Sequence, residues 1–122
     1  MGKTILIVDD AASMRGLIAM TLKNSGYCVI EGCDGRDGYD KMHGAGKVDL
    51  IVTDLNMPVM DGIEFIKAVK AAPGGRFIPV IMLTTENQNE KKELGRQAGA
   101  KAWIVKPFKP DILLGVIKKI LG

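Results

Sequence analysis

The sequence predicts an α/β fold: a five-stranded parallel sheet, doubly wound, with helices on both faces. The first observation is five short apolar runs, at residues 4–8, 27–31, 50–53, 78–83 and 102–105, separated by segments of helical length. The second is that all but the run at 27–31 are near-continuous rather than alternating, the pattern of parallel strands covered on both faces. The third is the order of the segments, (βα)5 from end to end of the 122 residues, with no repeat, linker or low-complexity tract. Right-handed helical crossovers between parallel strands then build one open sheet, and the chain is expected to be a single domain, residues 1–122.

Each element has its own justification. After the first strand, Met14, Leu17, Ile18, Thr21 and Leu22 share a helix face, and Gly26 stands where a C-terminal cap is expected. The second helix, about 37–42, is weakly patterned. Asp61 with Glu64 three residues on reads as a capping box opening the third helix, with Phe65, Ile66 and Val69 as its apolar stripe. The fourth helix, 89–98, offers only Leu94 and Ala98 as inward residues before Gly99. The fifth starts at Pro110 and is expected to bury Ile112, Leu113, Val116, Ile117 and Ile120.

In open parallel sheets, ligands bind outside the carboxyl ends of the strands, where the strand order reverses. Here the first strand ends in Asp9-Asp10, the third in Asp54, the fourth in Thr84-Thr85 and the fifth in Lys106-Pro107, whereas the second ends in Glu31-Gly32. The four polar ends converge if those four strands are contiguous, which leaves the second strand at the sheet edge. Two carboxylates about 5 Å apart repel by roughly 3 kcal/mol at an effective dielectric near 20, so the three aspartates call for a proton or a cation. An all-oxygen, partly open site without clustered His or Cys favours Mg²⁺ over zinc. With Lys106 as a compact cation for phosphate and Thr84 as a hydroxyl donor, the set is one for phosphoryl transfer, and Asp54 is the natural nucleophile. Taken singly, these residues have plainer readings. Asp9 or Asp10 could cap the first helix, Lys106 could be solvated, and Thr84 could satisfy backbone.

Composition excludes other classes. The chain is 47% apolar and 25% charged, average for a globular domain of 13.1 kDa with a core of its own. The net charge of +3 comes from interleaved Lys and Arg, not the basic stripe of a nucleic-acid reader. No run is long enough to span a bilayer and no basic-then-apolar leader opens the chain, so a cytoplasmic protein is expected, with no membrane or nucleic-acid partner. Cys28 and Cys33 have no metal-type spacing and are expected to be free thiols. His43, the single histidine, falls near the end of the second helix and is expected on the surface.

Four stretches in order, "ILIVDDAASMR", "DLIVTDLNMPVMDG", "IPVIMLTTE" and "AWIVKPF", resemble the receiver domain of two-component response regulators. The likeness runs from Thr4 to the end of the chain, and Ser13-Met14-Arg15 after the acidic pair favours the stand-alone chemotaxis receivers. The resemblance implies a flavodoxin-like fold of strand order 2-1-3-4-5. It implies that Asp54 is the phosphoacceptor, that Asp10, Asp54 and the Asn56 backbone carbonyl hold Mg²⁺, and that Asp9 acts through a metal-bound water. Lys106, Thr84 and Thr85 would bind the phosphoryl group, with a cis bond from Lys106 to Pro107. Thr84 and Trp103 would form the switch, although the family usually carries Tyr or Phe at the second position, and a Trp there lacks the hydroxyl for a Tyr-type hydrogen bond. Lys92, Trp103, Val105 and Lys119 would lie on the output face. The implied protein is a monomer and no enzyme, although it takes part in its own phosphorylation and dephosphorylation. Its partners would be a histidine kinase, a phosphatase and the flagellar motor switch.

Other readings fit less of the chain. A stand-alone receiver can also pass phosphate along a phosphorelay or act as a phosphate sink. A haloacid dehalogenase-type phosphatase wants D-x-D, but Asn56 stands two residues beyond Asp54, and there is no cap domain. A flavodoxin-like electron carrier would need a Ser/Thr-rich phosphate loop after the first strand, which is absent.

Overall fold

The computed structural model describes residues 2–122. The elements run β1 (Thr4–Val8), α1 (Ala12–Asn24), β2 (Cys28–Gly32), α2 (Gly35–Gly44), β3 (Leu50–Thr53), α3 (Gly62–Ala71), β4 (Val80–Thr84), α4 (Asn89–Ala98), β5 (Ala100–Val105) and α5 (Pro110–Leu121). All pairings are parallel and the sheet order is β2-β1-β3-β4-β5, with β2 at one edge.

The near-continuous apolar runs are explained by two cores, one on each face. Leu6, Val8, Ile51, Val80 and Met82 point to one face and pack against Met42 of α2 and Phe65, Ile66 and Val69 of α3. Ile5, Ile7, Leu50, Val52, Ile81 and Leu83 point to the other, against Ile18 and Leu22 of α1 and Leu113 and Ile117 of α5. Because strand side chains alternate, both parities of β1, β3 and β4 must be apolar. Every residue of β1 from Ile5 on, and all of β3 and β4, is buried.

Several boundaries and faces differ from the sequence reading. β4 starts at Val80, because Pro79 has no N–H for the ladder and contributes only its carbonyl, to Ile51 N–H at 3.0 Å. β5 starts two residues early, at Ala100, and its register slips beside Val80 and Ile81. β2 begins at Cys28 instead of residue 27, since the Tyr27 N–H closes the end of α1 on Leu22 O. Leu17, Leu94 and Ile112 are 49%, 45% and 52% exposed, not inward. Leu17 and Ile112 each precede the buried residue by one position, about 100° around the helix. In α4 it is Gly95 that is buried, because the Trp103 ring occupies the space beneath the helix. Asp61 and Glu64 do form the capping box of α3, at 2.8 and 3.0 Å. Both cysteines are free and exposed, and His43 is exposed, edge-on to Tyr39.

Candidate functional site

The order β2-β1-β3-β4-β5 reverses direction between β1 and β3, so the carboxyl ends of those strands flank the crevice. Register sets them side by side, with Val8 beside Thr53 and Thr84 beside Val105. Asp9, Asp10 and Asp54 therefore meet, with one carboxylate oxygen from each lying within 4.8 Å of the others. Asp9 is fully buried, Asp54 nearly so, and Asp10 is exposed.

Each buried group is held by a specific partner. The Lys106 ammonium donates to Asp9 Oδ2 at 2.8 Å and to Asp54 Oδ2 at 3.3 Å, with its side chain only 9% exposed. Asp9 Oδ1 accepts the Ala11 N–H at 2.9 Å, and Asp54 Oδ1 accepts the Leu55 N–H at 2.7 Å. Lys106 is aimed inward from the end of β5, where its own N–H donates to Thr84 O at 2.8 Å and its bond to Pro107 is cis. Arg15 of α1 donates to the Asp9 backbone carbonyl at 2.6 Å and pairs with Glu31 at 3.2 Å.

The loop after Asp54 explains the residues that follow it. A Cβ at Gly62 would lie 2.3 Å from the Asp54 carbonyl oxygen, so only glycine lets α3 start against the end of β3. The Gly62 N–H then donates to Leu55 O at 2.8 Å. Between them Asn56 is exposed beside the cluster, and the Met60 N–H donates to Pro58 O at 2.7 Å around Val59, which has φ 71. That is a γ-turn of the rare positive-φ kind.

The residues fit a divalent cation. Three carboxylates and one ammonium leave an excess of two negative charges in a mostly buried cluster. All the ligating atoms are oxygens, and exposed Asp10 leaves an open side for waters, as Mg²⁺ prefers. Asp9 and Asp54 each accept one backbone N–H and share the Lys106 ammonium, so both carboxylates are held in place on the two sides of that cation.

The remaining sequence-named residues divide between two places. Thr84 is fully buried one strand away, and its hydroxyl accepts the Glu86 N–H at a long 3.4 Å. Thr85 is exposed, and no side-chain hydrogen bond among the described residues ties it to the cluster. Trp103 is half-buried, and its indole N–H donates to Glu86 O at 2.9 Å. The indole nitrogen therefore has a backbone partner, while the six-membered ring lies against Gly95. Trp103 and Lys92 share a cleft of about 440 Å³ between α4 and β5. Val105 is half-buried at the end of β5, and Lys119 is exposed on α5 outside that cleft.

Sequence reasoning missed three participants: Arg15, the Glu86 carbonyl and Gly95. A Cβ at Gly95 would sit 2.7 Å from Trp103 Cζ3, so the glycine makes room for the ring. The signal was a glycine in a helix interior, which ordinarily has a packing reason.

Among known proteins, the family described as response regulator receiver domain matches residues 5–118. Chemotaxis protein CheY1 of Helicobacter pylori is 36% identical over 119 residues, covering 97% of this chain and 96% of that protein. The crystal structure of chemotaxis protein CheY4 from Vibrio cholerae superposes with a TM-score of 0.94 at 43% identity, covering 99% of this chain and all of that one. The receiver domain of a sensor histidine kinase from Pseudomonas aeruginosa, solved with magnesium coordinated in its active-site cleft, gives 0.91 at 30% identity, covering 100% and 99%.

Proposed function

The chain belongs to the response regulator receiver domain family, and on that premise we propose that it is a single-domain chemotaxis response regulator. A histidine kinase phosphorylates it on Asp54, and its α4–β5–α5 face then binds a protein partner, the flagellar motor switch. The observation that carries this reading is the Lys106 ammonium shared between buried Asp9 and nearly buried Asp54, with Asp10 open to solvent beside them.

Asp54 is the nucleophile. One carboxylate oxygen attacks the phosphorus of the kinase phosphohistidine, the P–O bond forms, the P–N bond breaks, and the imidazole leaves with the electron pair. The Leu55 N–H steadies Oδ1 while Lys106 stands at Oδ2, so the carboxylate plane is set before the donor arrives. Mg²⁺, held by Asp10, Asp54 and the Asn56 carbonyl with Asp9 acting through water, would neutralise the negative charge that the phosphoryl group brings. Lys106 turns from Asp54 to a phosphoryl oxygen and keeps its bond to Asp9. Thr84, whose hydroxyl has only a long contact to Glu86, can turn toward the phosphoryl group from its buried position. That movement reaches Trp103 through the Glu86 segment, which carries both the Thr84 contact and the Trp103 acceptor. The result is a population shift of α4 and the cleft above β5.

Calorimetry against the N-terminal segment of a flagellar motor switch protein tests the output half. The native protein with Mg²⁺ and beryllofluoride is expected to bind more tightly than the untreated protein, and Asp54→Asn is expected to show no gain. Absence of binding in every state would redirect the reading to a phosphorelay or a phosphate sink.

A further inference from the structure

The edge of the sheet opposite Asp54 carries a second concentration of charge. The C-terminal turn of α3, the loop into β4, the start of β5 and the end of α5 enclose a cleft of about 440 Å³, lined by Lys70, Arg76, Phe77, Lys101, Asp49 and Leu121 among others. Three of those side chains are cationic. None of the three forms an ion pair with a carboxylate among the described residues. The carboxylate at the rim, Asp49, is engaged elsewhere, by the Thr4 N–H at 2.8 Å and by Lys47 at 3.6 Å.

Lys70 is half-buried and donates only to the Ile78 carbonyl. Burial, and then the charge of Lys101, push its pKa below the usual lysine range. An anion seated between Lys70, Lys101 and Arg76 would reverse that repulsion. Phe77 is 87% exposed, an expensive position for a ring in water, and the Arg76 guanidinium lies 5.5 Å from its centroid. A flat ring on the ligand would cover it.

We propose that this cleft is a binding site for a nucleotide-type ligand, with its phosphates among Lys70, Arg76 and Lys101 and its base against Phe77. The volume suits a small organic phosphate. The site lies across the sheet from the phosphoacceptor, and nothing in the phosphorylation chemistry uses it.

Amide NMR of the full chain, in EDTA without magnesium, tests the site with ADP, inorganic pyrophosphate and adenosine as separate probes. ADP is expected to shift the amides of Lys70, Arg76, Phe77, Gly99 and Lys101, with a Kd at or below about 1 mM. Pyrophosphate should shift the same amides more weakly, and adenosine should leave them in place. Lys101→Gln and Arg76→Gln, both at exposed positions, should each weaken ADP by about tenfold. Asp54→Asn should bind ADP as the native chain does, separating this site from the acidic cluster. Failure of ADP to move these amides, or shifts that survive both glutamine substitutions, would overturn the proposal. Adenosine binding as well as ADP would contradict the charge argument, and pyrophosphate binding as well as ADP would contradict the part given to Phe77.

Discussion

Val59 holds φ 71 with its side chain 81% exposed, so a β-branched residue adopts a left-handed backbone with no packing in return. Such a residue costs about 1–3 kcal/mol in strain, against roughly 0.5–1 kcal/mol for the extra freedom of glycine in the unfolded chain. Val59→Gly should therefore raise stability by about 1 kcal/mol in thermal unfolding, and a lower midpoint would show that the turn is unstrained. The opposite balance holds at Gly95. Alanine would gain about 1 kcal/mol of helix propensity, but overpacking against Trp103 costs about 1–3 kcal/mol. Gly95→Ala should be destabilising by about 1 kcal/mol and should shift the emission of the single tryptophan to the red as the ring leaves its place. Stabilisation with unchanged emission would contradict the contact. Neither residue was legible beforehand, because a positive φ and a ring beneath a helix are tertiary facts. Asp54 was legible, because the end of an apolar strand is marked in the sequence itself.

At the scale of elements, the start of β3 is tied to β1 by a charge. The Thr4 N–H, followed by nearby Lys47 and Lys3, holds the Asp49 carboxyl below the usual aspartate range, burial opposing. A folded-state pKa below the unfolded value gives stability that is present above about pH 4 and is lost as pH falls through the folded value. Asp49→Asn keeps an oxygen for Thr4 but loses the proton linkage, so its stability should fall less steeply than the native protein's as pH drops below about 4. Parallel acid limbs would place the sensitivity elsewhere, for example at Asp37, which the Cys33 N–H lowers in the same direction. Helices were legible where large apolar residues marked the inward face. The stripe and cap of α3 stand in the sequence, whereas α4, with Gly95 as its buried residue, hid its inward face.

For the whole molecule, the continuous apolar runs foretold two cores, and the polar strand ends foretold which edge would hold the acidic cluster. Register was not legible, since Pro79 and the slip at the start of β5 depend on pairing partners. The two edges of the sheet divide the charge, with acid around Asp54 and base around Lys70, and only the first edge belongs to the phosphorylation reading. That reading stands on Asp54 as the nucleophile, and transfer of labelled phosphate from a histidine kinase, with and without Mg²⁺, tests it most directly. The account predicts label on the native chain with Mg²⁺, loss of label with EDTA, and no label on Asp54→Asn. Label that persists at the normal rate on Asp54→Asn, or without divalent metal, would contradict it.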